Sequence, residues 1–277
     1  MERLKRGWRL AMVSLGVLRS DRSLGVFPIL GGLASLFAIA AFGAPAALFW
    51  FEDLPALTVI LAAIGIYLAG YLGIFFSVAL AGAAAQTLDG KDASVSGGLA
   101  VARRSAGTIA GWAAIVVSVN VILRAIADRA GPLGDLVVGI FGLAWGLVTF
   151  LVIPVIALED VGPITGLKRS AGIFRQRWGE QITGNLSIGI FTFVVAFLPA
   201  VIILAVAFAT GNTIAIGVGI AIAAILFVIG AVLSAALNGI FSVALYRYAT
   251  GQEETGPFAV ADLESAIRPR RARESNV

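Results

Sequence analysis

The chain contains no cysteine and no histidine. The first absence excludes disulfides, thiol catalysis, thiolate zinc and iron–sulfur clusters, and leaves the redox compartment unread. The second removes the commonest metal ligand and the commonest general base. Ser-His dyads, imidazole-ligated haem and histidine-based metalloprotease motifs go with it. Charge is scarce too: 13% of the 277 residues are Asp, Glu, Lys or Arg, against about 25% in a soluble domain. Hydrophobic residues make up 59% and the mean hydropathy is +0.97, which excludes a water-soluble domain. The 33 glycines follow no collagen-like period. In apolar helices such small residues let backbones approach closely.

Long apolar runs dominate what is present. Six reach the ~20 residues that cross about 30 Å of hydrocarbon. They lie at Phe27–Phe51, Leu54–Ala83, Ala106–Ala127, Gly134–Leu158, Ile182–Ala209 and Thr213–Tyr246. In lipid every backbone polar group needs an internal partner, so each run is a helix. The expected fold is all-α: a polytopic membrane protein with six transmembrane helices in hairpin units. Residues 1–26 form an N-terminal amphipathic segment, 27–250 the transmembrane domain, and 251–277 a basic cytoplasmic tail.

Lys and Arg set the orientation. One side holds Arg3, Lys5, Arg6, Arg9, Arg19 and Arg22, then Lys91, Arg103 and Arg104, then Lys168, Arg169, Arg175 and Arg177, then Arg247, Arg268, Arg270, Arg271 and Arg273. The other side holds only Arg124 and Arg129. Short loops rich in Lys and Arg stay cytoplasmic. Both termini are therefore expected inside, in a cell membrane. A net charge of +4 and a pI near 9.8 would suit nucleic acid, but charge confined to these loops reads as topology instead.

Glu2–Ser20 reads as an amphipathic helix rather than a signal peptide. Its apolar run is short, Arg19, Asp21 and Arg22 follow, and no cleavage site does. Leu4, Trp8, Ala11, Met12, Leu15 and Leu18 share one face and Lys5, Arg6 and Arg9 the other. Such a helix lies in the headgroup layer and is drawn to anionic lipid. An ordinary cytoplasmic helix is the alternative. Pro163–Trp178 is built the same way, and Lys5, Arg6, Arg9, Arg103, Arg104, Lys168 and Arg169 are the candidate headgroup contacts.

The sequence also echoes itself. FSVAL occurs at Phe76–Leu80 and at Phe241–Leu245. The same offset pairs Gly65 with Gly230, Gly73 with Asn238 and Ser77 with Ser242. RRSAG at Arg103–Gly107 is answered by KRSAG at Lys168–Gly172. Gly73, Ser77, Ser234, Asn238 and Ser242 form stripes of small or weakly polar residues, read either as helix–helix seams or as the lining of a narrow path.

The opening GWRLAMVSLGVLRSDRSLGVFPIL, the middle VIPVIALEDVGPITGLKRSAGIFRQRWGE and the ending FSVALYRYATG resemble a family of prokaryotic multi-pass membrane proteins known only as a domain of unknown function. The resemblance covers roughly Gly7 to Gly251 and implies a six-helix membrane protein with no established activity. It brings no catalytic residues with it.

No ionisable residue lies in a span interior, every Asp and Glu sitting at a span end or in a loop, which weakens ion-coupled transport. Pro45, Pro154 and Pro199 are candidate helix breaks, read mainly as shape. Glu159 and Asp160 are adjacent, so on a helix they point about 100° apart, which suits span termination and pairing with nearby cations better than one metal site. Arg124 and Asp128 are spaced to pair along a helix. No cofactor, metal or catalytic residue is expected. The function expected is that of a non-enzymatic membrane protein associating with lipid or assembling as an oligomer. A channel or transporter for a small or lipid-like molecule is the alternative.

Overall fold

A computed structural model describes residues 2–178, 197–251 and 258. Among these residues the chain is all-α. Helix α1 spans Glu2–Ser20 and leads through a short 3-10 turn, Arg22–Gly25, into α2 (Val26–Phe51). Then follow α3 (Pro55–Leu88), α4 (Val95–Arg104), α5 (Ala106–Thr149), α6 (Val152–Glu159) and α7 (Pro163–Trp178). Two further helices, α8 (Leu198–Ala209) and α9 (Thr213–Ala249), close the described chain.

Five stretches are long and apolar enough to cross a membrane: Arg22–Phe51, Pro55–Leu88, Ala106–Arg129, Val137–Glu159 and Thr213–Ala249. Four of the six expected spans correspond to four of these, and Thr213–Tyr246 to the fifth. The remaining one, Ile182–Ala209, lies largely outside the described residues; its end is the apolar helix α8. The tail 251–277 lies outside them as well, except for Gly251 and Phe258.

Helical geometry runs unbroken from Ala106 to Thr149, 44 residues, yet this element is not a rod. The rings of Trp112 and Trp145 stack with centroids 6.0 Å apart. A straight helix would hold residues 33 positions apart about 50 Å from one another. The chain therefore doubles back between them, and the midpoint, near Asp128 and Arg129, is where the sequence places an outer turn. Two apolar stretches leave α5 as an out-and-back pair.

Proline explains the next break. Pro154 is the third residue of α6, and its ring and missing N–H disfavour a helical residue four positions earlier. That residue is Phe150, and Phe150 and Leu151 form the turn that separates α5 from α6. Pro45 sits inside an unbroken α2. Pro55 and Pro163 open α3 and α7, and Pro199 lies in the first turn of α8; Pro is well tolerated in a first turn because no helical partner awaits its N–H.

Close glycine contacts hold the bundle. A Cβ on Gly82 would meet Val101 of α4 at 2.9 Å, and one on Gly98 would lie 2.6 Å from the Ala79 carbonyl oxygen. These two glycines let α4 lie directly on α3. Gly31 and Gly65 do the same between α2 and α3, against Phe76 and Phe42. Gly111 admits Pro163, Gly239 admits Leu80, and Gly219 admits Ala207.

Burial is concentrated at one end. Val78–Ala85, Ala102, Ile109, Val152, Val155, Ile156, Leu237, Ile240, Phe241 and Val243–Tyr246 form a closed core with Leu24, Phe27 and Phe258. The exposed basic residues of the α3–α4 and α6–α7 regions lie at this same end. Toward the other end α2, α3, α5, α8 and α9 expose large apolar side chains, among them Phe37, Leu143 and Ile214. Helices of 34 and 37 residues are about 51 and 56 Å long at 1.5 Å per residue. They exceed a hydrocarbon layer by roughly 20–25 Å, and the buried residues of both helices concentrate in their last turns.

Helix α1 packs against α9, and its Ala11, Ser14 and Val17 are buried. On the expected apolar face Ala11 is buried and Leu15 and Leu18 are partly buried, whereas Met12 is 44% exposed. Three small side chains fit a helix–helix contact better than the larger Met12 does.

Candidate functional site

The polar chemistry gathers at the buried end, around the last turns of α3, α6 and α9. Arg247 of α9 is 6% exposed. Its Nη1 lies 2.7 Å from Asp89 Oδ1, and its Nη2 donates to the Ala85 carbonyl at 2.9 Å. The Nε of the same side chain is buried without a partner. Asp89 caps the end of α3, so this contact joins the two helices that carry FSVAL.

One residue earlier, Tyr246 faces the other way. Its hydroxyl donates to Glu159 Oε1 at 2.6 Å. Arg169 Nε reaches both oxygens of Glu159, at 3.0 and 3.2 Å. The carboxylate beside it holds the Arg169 guanidinium above its ordinary pKa. Adjacent residues on a helix project about 100° apart. Tyr246 and Arg247 thus let α9 hold α6 and α7 on one side and α3 on the other. Glu159 pairs with a cation as expected, while Asp160 leaves the helix in a left-handed conformation that caps α6 and is exposed.

Two serines belong to the same region. Ser105 Oγ donates to the Ile156 carbonyl at 3.4 Å, and Ser170 Oγ donates to the Val148 carbonyl. Both acceptors lie among the last four residues of a helix, α6 and α5 respectively. Helix geometry leaves those carbonyls without intrahelical donors. The break imposed by Pro154 creates one of these two needs, and serine hydroxyls meet both.

The stripe residues are placed as follows. A Cβ on Gly73 would have Ser35 Oγ at 3.6 Å, ordinary contact, and Ser77 is exposed with its hydroxyl on the Gly73 carbonyl at 2.8 Å. Asn238 Nδ2 donates to the Ser234 carbonyl and to Ser234 Oγ, and Ser242 donates to the Gly239 carbonyl. These groups bond within their own helices. The close approach of α3 and α9 falls one residue beyond Asn238, at Gly239 against Leu80.

The candidate headgroup residues Arg103, Arg104, Lys168 and Arg169 are exposed. The side chains of Lys5, Arg6 and Arg9 lie outside the described ones. Arg124 and Asp128 are both exposed, with no ion pair between them. Trp145, between Trp112 and Phe141, stacks on both. Among the described residues no cluster of three or more Asp or Glu could hold a metal.

A family profile, "Family of unknown function (DUF6159)", matches residues 57–256, well over half of the chain. The chain belongs to this family. The matched region of this DUF6159 member runs from the start of α3 past the end of α9 and so includes Asp89, Ser105, Glu159, Arg169, Ser170, Tyr246 and Arg247. No curated protein and no solved structure matches the chain.

Sequence reading assigned no role to Asp89, Ser105 or Ser170 and counted Arg247 only toward orientation. The RRSAG echo was the one visible signal for the serines. Nothing local marks Arg247, which looks like any basic residue at a span end.

Proposed function

We propose that this protein is a six-span integral membrane protein of the cell membrane, with both termini cytoplasmic, that associates with anionic lipid through its basic face and catalyses no reaction. One observation carries the reading. The space between α3, α6 and α9 at the buried end is filled by Leu80, Val152, Val155, Leu237, Ile240 and Phe241, while exposed cations ring the same end. A closed apolar core under a charged rim matches a spanning protein whose basic end meets the anionic headgroups of the bilayer. Basic residues near an anionic leaflet are each worth about 1 kcal/mol, so the rim supplies attraction without a buried site.

The sixth span in this reading is Ile182–Ala209, and the basic rim faces the cytoplasm. The unequal division of Lys and Arg between the two sides supports that orientation.

A transporter or channel is the second reading, and one feature favours it. An open, mainly apolar groove of about 600 Å³ lies between α8 and α9, lined by residues such as Ile203, Val206, Asn212 and Val218. Its place at the end away from the closed core would suit a compartment open to one side only.

The cysteine-free sequence permits a direct test. Single cysteines at Gly90, Gly172, Asp53, Arg129 and Asn212 are treated with a membrane-impermeant maleimide on intact cells. Labelling is expected at Asp53, Arg129 and Asn212 and not at Gly90 or Gly172. A reversed result at either inner position refutes the six-span orientation.

A further inference from the structure

The segments Arg103–Gly107 and Lys168–Gly172 repeat one another in construction as well as in sequence. In each, two exposed cations precede a buried serine. Each serine is fixed to a helix-end carbonyl of the same apolar stretch, Ser105 to Ile156 and Ser170 to Val148. The acceptors are eight residues apart, on either side of the turn between α5 and α6. Contact between Gly111 and Pro163 ties the start of α5 to the start of α7. Two similar units, each anchored by a serine, therefore carry two basic pairs at the same end of the bundle.

We propose that these two units are paired binding sites for the phosphate groups of anionic phospholipids. The inference rests on the membrane orientation given above. An anchored serine limits the freedom of the cations beside it, which reduces the ordering cost of binding. Guanidinium groups also match phosphate oxygens with two parallel hydrogen bonds.

The two sites differ in free charge. Arg103 and Arg104 have no acidic partner among the described residues. Arg169 is engaged by Glu159, so its unit offers Lys168 alone. Glu159 therefore sets the charge of the second site, and removing its carboxylate releases a second cation there.

The test uses the full chain, purified in detergent with an equal mixture of phosphatidylglycerol and phosphatidylcholine, and reads the ratio of retained lipids by native mass spectrometry. Wild type is expected to retain phosphatidylglycerol preferentially. Arg103→Gln with Arg104→Gln should lower the preference more than tenfold, and Lys168→Gln roughly fivefold, from the attraction of each basic residue. Glu159→Gln should raise it several-fold, because the amide still accepts from Tyr246 but no longer neutralises Arg169. Arg124→Gln with Arg129→Gln removes the same charge at the far end and should leave the ratio unchanged.

An unchanged ratio in the Arg103/Arg104 variant overturns the proposal, as does an equal fall in the Arg124/Arg129 control. No gain with Glu159→Gln overturns the pairing of the two sites. Loss of retained lipid on adding inorganic phosphate would assign the sites to free phosphate instead. Labelling of Arg104→Cys from outside intact cells would refute the orientation itself, whatever the lipid ratio.

Discussion

Removing either partner of the Asp89–Arg247 contact should have unequal consequences, and the structure sets the direction. The guanidinium is 7% exposed and the carboxylate 39%. In Asp89→Asn the buried cation keeps the Ala85 carbonyl but loses its counter-charge, and Nε is already unpartnered. Leaving a buried charge uncompensated costs about 3–5 kcal/mol; water reaching the exposed side of the contact places this one near 3. In Arg247→Met the apolar stem is largely replaced and Asp89 turns to water, so the cost should be about 1 kcal/mol or less, as buried pairs often contribute little over an apolar substitute. Unfolding of the purified protein in mixed micelles by increasing dodecyl sulfate measures both. The double variant should resemble Arg247→Met. If Arg247→Met is the more destabilising single change, or if both are neutral, the reasoning from burial fails.

Other consequences can be checked separately. Gly98→Ala should destabilise by at least ~1–3 kcal/mol, because its Cβ would lie 2.6 Å from the Ala79 carbonyl oxygen; Gly139→Ala, with open space around it, should be neutral in the same unfolding assay. Tyr246→Phe should cost about 1–2 kcal/mol, the worth of a hydrogen bond to a charged group on a carboxylate that retains Arg169; a change below 0.3 would show that the hydroxyl contributes nothing. Trp112→Phe and Trp145→Phe should each abolish the same exciton couplet in the near- and far-ultraviolet circular dichroism, since the stacked pair needs both rings. Persistence of the couplet in either variant would refute the folded-back form of α5.

Several features could be read from the chain alone because they depend on composition over long windows or on local backbone chemistry. A run of 20 or more apolar residues has one stable form in lipid, so four of the expected spans and the one at Thr213–Tyr246 coincide with apolar helices. Proline at the first turn of α7 needed only its own missing donor. The placing of Glu159 and Asp160 at the end of a span was legible, while the left-handed turn at Asp160 that separates them was not. Family membership was legible for a related reason, since long ordered motifs survive as continuous text. The stripes were read less well. Spacing of four marks a helix face but does not say which neighbour covers it, and Asn238, Ser234 and Ser242 turned out to bond along their own helix.

What composition determined, then, is that this chain forms apolar helices, where they begin and end to within a few residues, and which ends are basic. Only the tertiary structure decided which of those basic residues are spent internally. Arg247, between two tyrosines, and Arg104, between Arg103 and Ser105, both read in the sequence as basic residues at the end of a helix. One is buried against Asp89, 158 residues earlier in the chain, because Gly239 lets α9 approach α3 closely enough to enclose it. The other projects from the rim, because Ser105 turns inward to a carbonyl left bare by the end of α6. Both outcomes depend on contacts between segments far apart in sequence, and no local pattern encodes them.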